Sequence, residues 1–516
     1  MVLRLGIDVG GTNTDAVILR GRDVLAGVKR TTSEDVMSGI SEALEAVLEE
    51  AGVARDAVDV CMIGTTHFTN AVIERKGLDP VAAIRLGLPA TACLPPMVDW
   101  PADLRDEMGG HAWLVRGGYE FDGREIAPLD EDELVRIGQA VAARGLRAAA
   151  ISSVFSPINR AMEERARDIL RAQVPDLAVV LSSEIGRIGL LERESAAIMN
   201  ASLLTLSDRT VAAFGRALEG AGLRCPFFVT QNDGTLMAAD TVRRFPVLTF
   251  ASGPTNSMRG AAFLTGVKEA IVIDVGGTTT DVGALHHGFP RQAATVVDVG
   301  GVRTNFRMPD VFSIGLGGGS LVGEEGRQVG PRSVGYRLTE QARVFGGPTL
   351  TATDIAVAGG MAEIGDASAV SGLDAAVVQA AKATVADMLE RAVERSRISP
   401  EPIPVIAVGG GSILAPDRIG DLEVLRPAHF AVANAVGAAI SQISGEVDRI
   451  FALEGRSREE CLDEAQSEAS ATAVAGGALP DTLTVIERED VPLAYLPGNA
   501  TRIHVKVVGE MEAVGD

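Results

Sequence analysis

The chain has 516 residues, with 47 Lys and Arg against 69 Asp and Glu, which gives a formal net charge of −22. A polyanion of this kind is repelled by phosphate backbones and anionic lipid headgroups, so neither nucleic-acid nor membrane partners are expected. The 46% hydrophobic content excludes wholesale disorder. At about 150 residues per domain, the chain is long enough for several domains.

Cysteine usage and hydropathy indicate a cytoplasmic protein. The four cysteines lie far apart without a CxxC pair, which does not fit a disulfide framework or a structural zinc site. The first residues lead into a strand-like segment without a signal-peptide pattern, and no uncharged apolar stretch reaches the about 18 residues of a transmembrane helix. A reducing cytoplasm is therefore the expected location.

A nine-residue segment occurs twice in the chain. Ile7–Asp15 reads IDVGGTNTD and Ile273–Asp281 reads IDVGGTTTD, so eight of the nine positions are identical. Each copy follows an apolar strand-like run and leads into another, which predicts two β-hairpins with glycine-rich turns. Two copies about half a chain apart predict two related domains that face each other.

Strand-like and helix-like segments alternate through much of the chain. Helices are predicted at Glu34–Ala51, Pro128–Arg144, Asn159–Gln173, Glu184–Leu204, Thr353–Ala358 and Leu373–Arg397. Strands are predicted at Val58–Gly64, Ala148–Phe155, Ala178–Ser182, Phe227–Thr230 and Val405–Val408. This alternation predicts α/β domains with largely parallel sheets.

The end of the chain differs in pattern from the rest. Glu459–Gly477 is acidic and alanine-rich, which predicts a helix plus linker, and Leu483–Val508 predicts a small terminal sheet. We expect an N-terminal domain at 1–205, a second domain at 206–460, and a C-terminal segment at 461–516.

The two hairpin turns predict a phosphate site. A glycine pair after a strand lets backbone amides approach a phosphate closely, and Thr12 and Thr278 add hydroxyl donors. Asp8 at a strand end can hold hydrated Mg²⁺, which keeps several waters and takes one or two carboxylates. The alternative is a tight turn in which Asp satisfies its own turn amides, but that does not require the repeated Thr-x-Thr-Asp.

Three other glycine-rich segments are candidates for ligand contact. Val408–Ser412 (VGGGS) at a strand end suits a flat contact with adenine or ribose, or is a plain strand-to-helix turn. Ser313–Ser320 (SIGLGGGS) and Phe250–Ser257 (FASGPTNS) are interpreted as loops that either cradle an anion, shape a hinge or serve as ordinary connections.

A further segment, Gly64–Ala71 (GTTHFTNA), follows a strand and opens a helix. Thr65, Thr66 and Asn70 can bind a substrate or a phosphate at the helix N-terminus, or serve only to cap it. None of the six histidines has zinc-ligand spacing with a carboxylate partner, so the sequence predicts no transition-metal site.

Taken together, the motifs resemble one known family. GIDVGGTNTDAV, IGTTHFTNAVIERKG, FASGPTNSMRGA, IDVGGTTTDVG, FSIGLGGGSLV, GPTLTATD and VGGGSILAP occur in that family's order. The chain resembles the A subunit of ATP-dependent hydantoinases, which is related to 5-oxoprolinase and to subunits of acetone and acetophenone carboxylases. The resemblance implies the superfold of actin, hexokinase and the heat-shock chaperone ATPases: duplicated α/β ATPase domains around a nucleotide cleft, with a small β-rich C-terminal segment.

The resemblance also implies a reaction. ATP with Mg²⁺ would phosphorylate the carbonyl oxygen of a cyclic amide or imide, such as a hydantoin, 5-oxoproline or another lactam, and ring-opening hydrolysis would follow. In the family the hydrolytic step usually needs a second, B-type subunit. The expected protein is therefore an ATP-dependent cyclic-amide hydrolase component that forms a homo- or hetero-oligomer.

Roles for particular residues follow from the same resemblance. Asp8 and Asp274 would hold Mg²⁺ and position water, with Thr12 and Thr278 beside them as catalytic hydroxyls. The implied nucleotide contacts are Gly10, Gly11, Thr12, Asn13, Gly276, Gly277, Thr278, Thr279, Gly317, Gly318, Gly409, Gly410, Gly411 and Ser412. The implied substrate contacts are Thr65, Thr66, His67 and Asn70. His67 and the loop Glu184–Gly189 depart from the family pattern, which leaves the identity of the substrate open.

Two other functions stay open on the sequence. A sugar or polyol kinase of the same superfold would need an aspartate base beside the acceptor hydroxyl, for which Asp15 and Asp281 are candidates. A nucleotide-driven reactivase or activator would respond to a protein partner and to no small substrate. The cysteine pair that some activators use for an iron–sulfur cluster is missing here.

Overall fold

The computed structural model describes residues 2–11, 13–31, 36–293, 296–323, 325–397, 399, 401–453, 455–494 and 499–511. Its strands are β1 (Leu3–Val9), β2 (Asn13–Arg20), β3 (Asp23–Thr31), β4 (Val60–Thr65), β5 (Val81–Leu88), β6 (His111–Arg116), β7 (Ala148–Ser153), β8 (Ala178–Leu181), β9 (Phe227–Thr230), β10 (Thr235–Ala238), β11 (Ala270–Val275), β12 (Thr280–His286), β13 (Phe289–Pro290), β14 (Val297–Val299), β15 (Val302–Thr304), β16 (Val311–Ile314), β17 (Ser320–Val322), β18 (Val329–Ser333), β19 (Val405–Val408), β20 (Arg418–Ile419), β21 (Leu422–Leu425), β22 (Gln442–Phe451), β23 (Thr484–Pro492) and β24 (Thr501–Gly509). Its helices are α1 (Val36–Ala51), α2 (His67–Glu74), α3 (Ala102–Glu107), α4 (Glu131–Ala143), α5 (Ala161–Gln173), α6 (Leu190–Ser202), α7 (Leu204–Gly220), α8 (Ala239–Arg244), α9 (Ser252–Thr265), α10 (Leu338–Gln341), α11 (Ala352–Ala358), α12 (Ala375–Ser396), α13 (Ala433–Ala439) and α14 (Arg458–Ala475). Of these described helices, none has the length and apolar character needed to cross a membrane.

Two large sheets organise the described part of the chain. The first has nine strands in the order β23-β24-β22-β10-β9-β4-β1-β2-β3. The second has the order β13-β12-β11-β19-β21-β20, with β16 paired to β12. A four-stranded sheet, β6-β5-β7-β8, is parallel throughout, with α4 and α5 packed on one face and α6 on the other.

The hairpin repeat is a structural duplication. In the first sheet β1 pairs antiparallel with β2, opposing Asp8 to Asp15, and lies parallel to β4. In the second sheet β11 pairs antiparallel with β12, opposing Asp274 to Asp281, and lies parallel to β19. The register is therefore the same in both copies, and the prediction of two related hairpins is confirmed.

Several sequence-based expectations need correction. The two large sheets are mixed and not largely parallel, because each begins with an antiparallel hairpin. The predicted helix Glu184–Leu204 begins only at Leu190, since Gly186 and Gly189 lie in the loop that precedes α6. The predicted loop Phe250–Ser257 is largely the first turns of α9, where proline is tolerated because a helix's first N–H groups have no partner within the helix.

The C-terminal strands also differ from the prediction. β23 and β24 do not form a separate small sheet but extend the first sheet through β22. That sheet takes strands from within residues 3–65, 227–238 and 442–509, so chain on both sides of residue 205 contributes to it. The proposed domain limits of 1–205, 206–460 and 461–516 stay a prediction.

Helices α9 and α13 connect the two large sheets. α13 packs on β1 and β2, whereas α9 packs on β11 and β12, and the two helices pack on each other. A Cβ placed on Gly437 would lie 1.8 Å from the carbonyl oxygen of Asn256, and one on Gly260 would lie 1.9 Å from that of Ala433. Glycine at the crossing therefore lets the two helix backbones touch. This contact fixes the position of the side chains by which both helices reach the hairpins.

Gly437→Ala is expected to lower the midpoint of thermal unfolding, because one added methyl group forces α9 and α13 apart, and overpacking costs about 1–3 kcal/mol. Scanning calorimetry of the two proteins measures the difference. Gly215→Ala in α7 is the matched control: its Cβ would lie 4.0 Å from the nearest atom, on Phe227. The control should unfold at or above the wild-type midpoint, since alanine favours a helix interior. An unchanged midpoint for Gly437→Ala would contradict the close crossing.

Candidate nucleotide site between the two hairpins

A cavity of about 400 Å³ lies between the two hairpin turns. This volume falls within the range of small-molecule and cofactor sites. The predicted site residues that line it are Gly10, Gly11, Asn13, Asp274, Gly276, Gly277, Thr278, Thr279, Gly318, Gly409, Gly410 and Gly411. Thr12, a further predicted phosphate contact, lies outside the described residues. Residues from four separate segments of the chain therefore meet at one cavity.

The two turns are closed by the same hydrogen bond. The Gly10 N–H donates to the carbonyl of Asn13 at 3.0 Å, and the Gly276 N–H donates to the carbonyl of Thr279 at 2.8 Å. Two turns closed by equivalent hydrogen bonds therefore face each other across the cavity. Glycine-rich turns of this type present backbone amides to anions.

The glycine loop before β17 braces the second turn. The Gly318 N–H donates to the Gly276 carbonyl at 3.0 Å, and the Gly319 N–H donates to the Gly277 carbonyl at 2.7 Å. A Cβ on Gly317 would lie 2.6 Å from the backbone of Gly277, so this residue supports the turn from behind and does not line the cavity.

Consecutive residues of α9 hold the two hairpin aspartates. The Asn256 side-chain amide donates to Asp8 Oδ1 at 3.0 Å, and the Ser257 hydroxyl donates to Asp274 Oδ2 at 2.5 Å. Asp8 is buried, whereas Asp274 is partly exposed and lines the cavity. One helix therefore sets the relative position of the two carboxylates.

Asn434 and Lys29 complete the polar wall, and neither was predicted. Asn434, on α13, donates its side-chain amide to Asp8 Oδ2 at 3.0 Å and to Asp15 Oδ2 at 2.7 Å. The Lys29 ammonium lies 2.6 Å from Asp15 Oδ2, and both Lys29 and Asn434 line the cavity. Lys29 thus brings a positive charge to a wall that is otherwise rich in carboxylates.

Burial disfavours the ionised form of these carboxylates. It raises the pKa of Asp8 to about 6, an effect that the amide of Asn256 opposes and the charges of Asp15 and Asp274 increase. Burial likewise raises the pKa of Asp274 and Asp15, and it raises the pKa of Asp281 to about 6 together with the charge of Asp274. Carboxylates that repel one another in a buried site favour a bound cation.

The donor set fits Mg²⁺. Two buried acceptor oxygens, Asp15 Oδ1 and Asn256 Oδ1, have no hydrogen-bond partner among the described residues. Carboxylate and amide oxygens, completed by water, are the ligands of this hard cation. Of the two predicted metal ligands, Asp274 lines the cavity, whereas Asp8 is buried behind it and accepts the side-chain amides of Asn256 and Asn434. Asp15, which the sequence did not predict as a ligand, lines the cavity beside Asp274, so the oxygen donors present suit the ion.

The glycine triad after β19 forms another side of the cavity. The Gly411 N–H donates to the carbonyl of Val275 at 2.7 Å, which ties the triad to the end of β11. A Cβ on Gly410 would meet no atom within 4 Å, so this residue opens onto the cavity. Ser412 is buried behind the triad and does not line the cavity. Aromatic and apolar residues that the sequence did not single out also line it: Tyr336, Leu338, Phe345, Ile364 and Ile413.

The predicted substrate residues lie beside the first turn and do not line the cavity. Thr65 is buried, and its hydroxyl accepts the N–H of His67 at 3.1 Å. The Asn70 side-chain amide donates to the Thr66 hydroxyl at 3.3 Å, and a Cβ on Gly11 would lie 3.5 Å from that amide. Burial lowers the pKa of His67, which favours the neutral imidazole. The start of α2 is therefore next to the phosphate turn.

Lys29→Gln is expected to raise the dissociation constant for ATP about tenfold to 100-fold, since hydrogen bonds to charged groups contribute about 1.5–3 kcal/mol. Calorimetric titration with a non-hydrolysable ATP analogue measures the effect. Lys76→Gln removes an exposed lysine that lies outside the cavity and pairs with Glu74 at 3.6 Å. This control should bind the analogue as the wild type does. Equal affinities for all three proteins would show that Lys29 does not contribute to ATP binding.

Two family models match the chain in sequence order. The model of the hydantoinase/oxoprolinase N-terminal region matches residues 4–174, and the hydantoinase/oxoprolinase model matches residues 193–363. Together they cover both hairpins, the start of α2 and the glycine loop before β17.

Among curated proteins, the caprolactamase subunit alpha of Pseudomonas jessenii is 28% identical over 469 residues, or 84% of this chain and 65% of the relative. The acetophenone carboxylase gamma subunit of Aromatoleum aromaticum is 28% identical over 395 residues, or 68% of this chain and 52% of the relative. The chain thus spans roughly half to two thirds of the length of these relatives.

Among solved structures, the ATP-dependent caprolactamase of Pseudomonas jessenii superposes with a TM-score of 0.79 at 21% identity. The match covers 99% of this chain and 88% of the other. This similarity and the duplicated hairpins confirm the predicted fold class, a duplicated α/β architecture around a cleft.

Proposed function

The chain belongs to the hydantoinase/oxoprolinase family, and from this premise we propose that it uses ATP and Mg²⁺ to activate the carbonyl group of a cyclic amide or imide. The observation that carries the proposal is the cavity between two identically closed glycine turns. α9 and α13 fix the carboxylates of Asp8 and Asp274 beside that cavity. This arrangement suits a nucleotide triphosphate with a cation on its phosphates.

In the proposed reaction the carbonyl oxygen of the amide attacks the γ-phosphorus of ATP. The new O–P bond forms as the bond between the γ-phosphorus and the bridging oxygen breaks, and ADP leaves. The product is a phosphorylated imidate. Water then adds to its carbon, and the adduct breaks its C–N bond: the ring nitrogen leaves with a proton, the ring opens and an acyl phosphate remains. A second water attacks the acyl carbon, and inorganic phosphate departs with the former carbonyl oxygen.

The chain's own residues act by positioning and charge neutralisation, which dominate catalysis of phosphoryl transfer. The two turns would hold the phosphates with their amides, and Lys29 would neutralise charge on them. Asp8 and Asp274 would hold Mg²⁺, which supplies further charge neutralisation when bound. Gly410, with the apolar wall around Phe345, would face the adenosine.

We place the acceptor at the start of α2, beside the first turn. Thr66 and Asn70 lie next to Gly11, so a carbonyl bound there would approach the phosphate site. His67 is one of the two places at which the sequence resemblance indicates a departure from the family pattern, and it lies at the start of α2, which makes it a candidate for selecting the ring.

The relatives support a partner. They are named as the alpha subunit of a caprolactamase and the gamma subunit of an acetophenone carboxylase. We therefore propose that this chain is the ATP-handling component and that a second, B-type subunit completes the hydrolysis.

The test is isotopic. The chain, alone and with the subunit that co-purifies with it, is incubated with Mg²⁺, ATP and lactams or hydantoins whose carbonyl carries ¹⁸O. Transfer of ¹⁸O into inorganic phosphate, measured by ³¹P NMR, is expected for the true substrate. ATP turnover stimulated by a lactam without ¹⁸O in phosphate would overturn carbonyl phosphorylation. A stable phosphate ester formed from a polyol would select the kinase alternative.

His67→Ala is expected to change kcat/KM among ring sizes while leaving ATP affinity unchanged, because its side chain lies at the proposed acceptor side. Steady-state kinetics on a lactam series and a nucleotide titration give the two numbers. His111→Ala, which removes an imidazole stacked on Trp113 away from the cavity, is the control. Loss of ATP affinity with unchanged ring preference would instead place His67 at the nucleotide.

A further inference from the structure

The far end of the second hairpin brings together three potential metal ligands. Ala270 of β11 is paired with Leu285 of β12, so the next residues outward, Glu269 and His286, lie opposite each other. His287 follows in the turn to β13 with a left-handed backbone, φ 52°. Its N–H donates to Glu269 Oε1 at 2.7 Å. The sequence pattern did not reveal this group, because 16 residues of hairpin separate Glu269 from the first histidine.

The ligand atoms are close enough to share one ion. Glu269 Oε2 lies 3.1 Å from His286 Nδ1, and Glu269 Oε1 lies 3.5 Å from His287 Nδ1. One ligand atom from each of the three residues lies within 4.8 Å of the other two. In a tetrahedral zinc site with bonds of about 2.0–2.1 Å, neighbouring ligand atoms are about 3.3 Å apart. The two glutamate–histidine distances are close to this spacing, and the side chains are exposed enough to rotate onto a common ion.

We propose that Glu269, His286 and His287 form a binding site for a divalent transition-metal cation of the zinc type. Imidazole nitrogen and carboxylate oxygen are the donors that such ions prefer, and three protein ligands with water in a fourth position make a complete shell. The site is on the surface: the side chains of His286 and His287 are 65% and 77% exposed. This proposal does not depend on the proposed reaction.

The charges around the three ligands determine how tightly the site should bind zinc. The two imidazoles line a groove of about 770 Å³ whose opposite wall is β23, so solvent ions can reach them. Lys268 and Arg291 line the same groove, and Arg291 is neutralised by Asp310 at 2.5 Å. The positive charge of Lys268 therefore weakens the binding of a cation in this groove, and we expect a moderate affinity for zinc.

A bound ion would tie the start of β11 to the end of β12. These strands carry the second glycine turn at their other end. The ion would stabilise the hairpin without touching the nucleotide cavity, because neither histidine nor Glu269 lines that cavity. A ligand that binds only the folded state raises the unfolding midpoint by mass action.

The experiment is calorimetric titration of the untagged, metal-stripped chain with ZnCl₂. One site is expected, and each of Glu269→Gln, His286→Ala and His287→Ala should weaken it about tenfold or more. X-ray absorption should show two nitrogen and one or two oxygen ligands at about 2.0–2.1 Å. Zn²⁺ should also raise the unfolding midpoint of the wild type but not of the triple variant.

Two controls separate this site from others. Asp8→Asn should bind Zn²⁺ here as the wild type does, and His111→Ala should do the same. MgCl₂ should give no signal that depends on the histidines, because Mg²⁺ prefers oxygen ligands. A zinc affinity and stoichiometry in the triple variant equal to those of the wild type, or a wild-type chain that binds no zinc, would overturn the proposal.

Discussion

Asp8→Asn is expected to lower Mg²⁺-dependent ATP hydrolysis by more than about 100-fold, because loss of even an outer-shell partner costs about 10–100-fold and Asp8 is a proposed metal ligand. The substitution keeps the size of the side chain and one oxygen that can accept the amide of Asn256. Burial raises the pKa of the Asp8 carboxyl to about 6, which means that burial disfavours its charged form. An uncharged amide at this position should therefore leave the protein folded. Coupled-assay kinetics over a range of MgCl₂ concentrations measure the loss.

Asp59→Asn is the matched control for this change. Asp59 accepts the N–H of Leu3 at 2.6 Å, at the opposite end of β1 from the cavity. Asp8 lies on β1 and Asp59 contacts that strand, so both variants replace a carboxylate at β1 by an amide. Only Asp8→Asn should lose activity. Wild-type turnover by Asp8→Asn at saturating Mg²⁺, with an unfolding midpoint like that of the control, would refute the metal assignment.

The hairpins were predictable because their signal is local. A strand, two glycines and a repeated Thr-x-Thr-Asp fit within nine residues, and the same turn hydrogen bond closes both copies. The glycine triad after β19 was found for the same reason. In both cases the residue types and the backbone geometry are neighbours in the sequence.

The rest of the site depends on contacts between distant segments. Asn434 donates to Asp8 from 426 residues away, and no motif around it distinguishes it from other residues of a small-residue helix. Lys29 becomes relevant only because β3 pairs with β2, which places it opposite Asp15. Asn256 and Ser257 were within a recognised motif, but the glycine and proline before them led to a loop prediction where α9 begins.

The same limitation explains the errors in sheet organisation. β23 and β24 carry an ordinary strand pattern that does not state which sheet they join, and pairing with β22 places them on the first sheet. Likewise, Glu269 meets His286 only through the register of β11 on β12. Local pattern therefore predicts elements and turns, whereas register and helix crossings decide which side chains meet.

Gly410→Val is expected to abolish measurable ATP binding while the protein stays folded. A Cβ at Gly410 would meet no atom within 4 Å, and the residue lines the cavity, so the isopropyl group would occupy ligand space. Its neighbours in the triad behave differently: a Cβ on Gly409 would lie 2.2 Å from Asp274 Oδ1, and one on Gly411 would lie 2.6 Å from the Gly276 carbonyl. Substitutions there should disturb the fold itself.

The three triad positions therefore separate binding from stability. Calorimetry with a non-hydrolysable ATP analogue and thermal unfolding are measured on each variant. Gly372→Val controls for valine at an open glycine, because its Cβ also meets no atom within 4 Å and the residue lies outside the cavity. We expect that control to bind normally and Gly410→Val to unfold at the wild-type midpoint without binding. Normal binding by Gly410→Val would place the adenosine elsewhere, since a side chain cannot share a volume of this size with a purine ring.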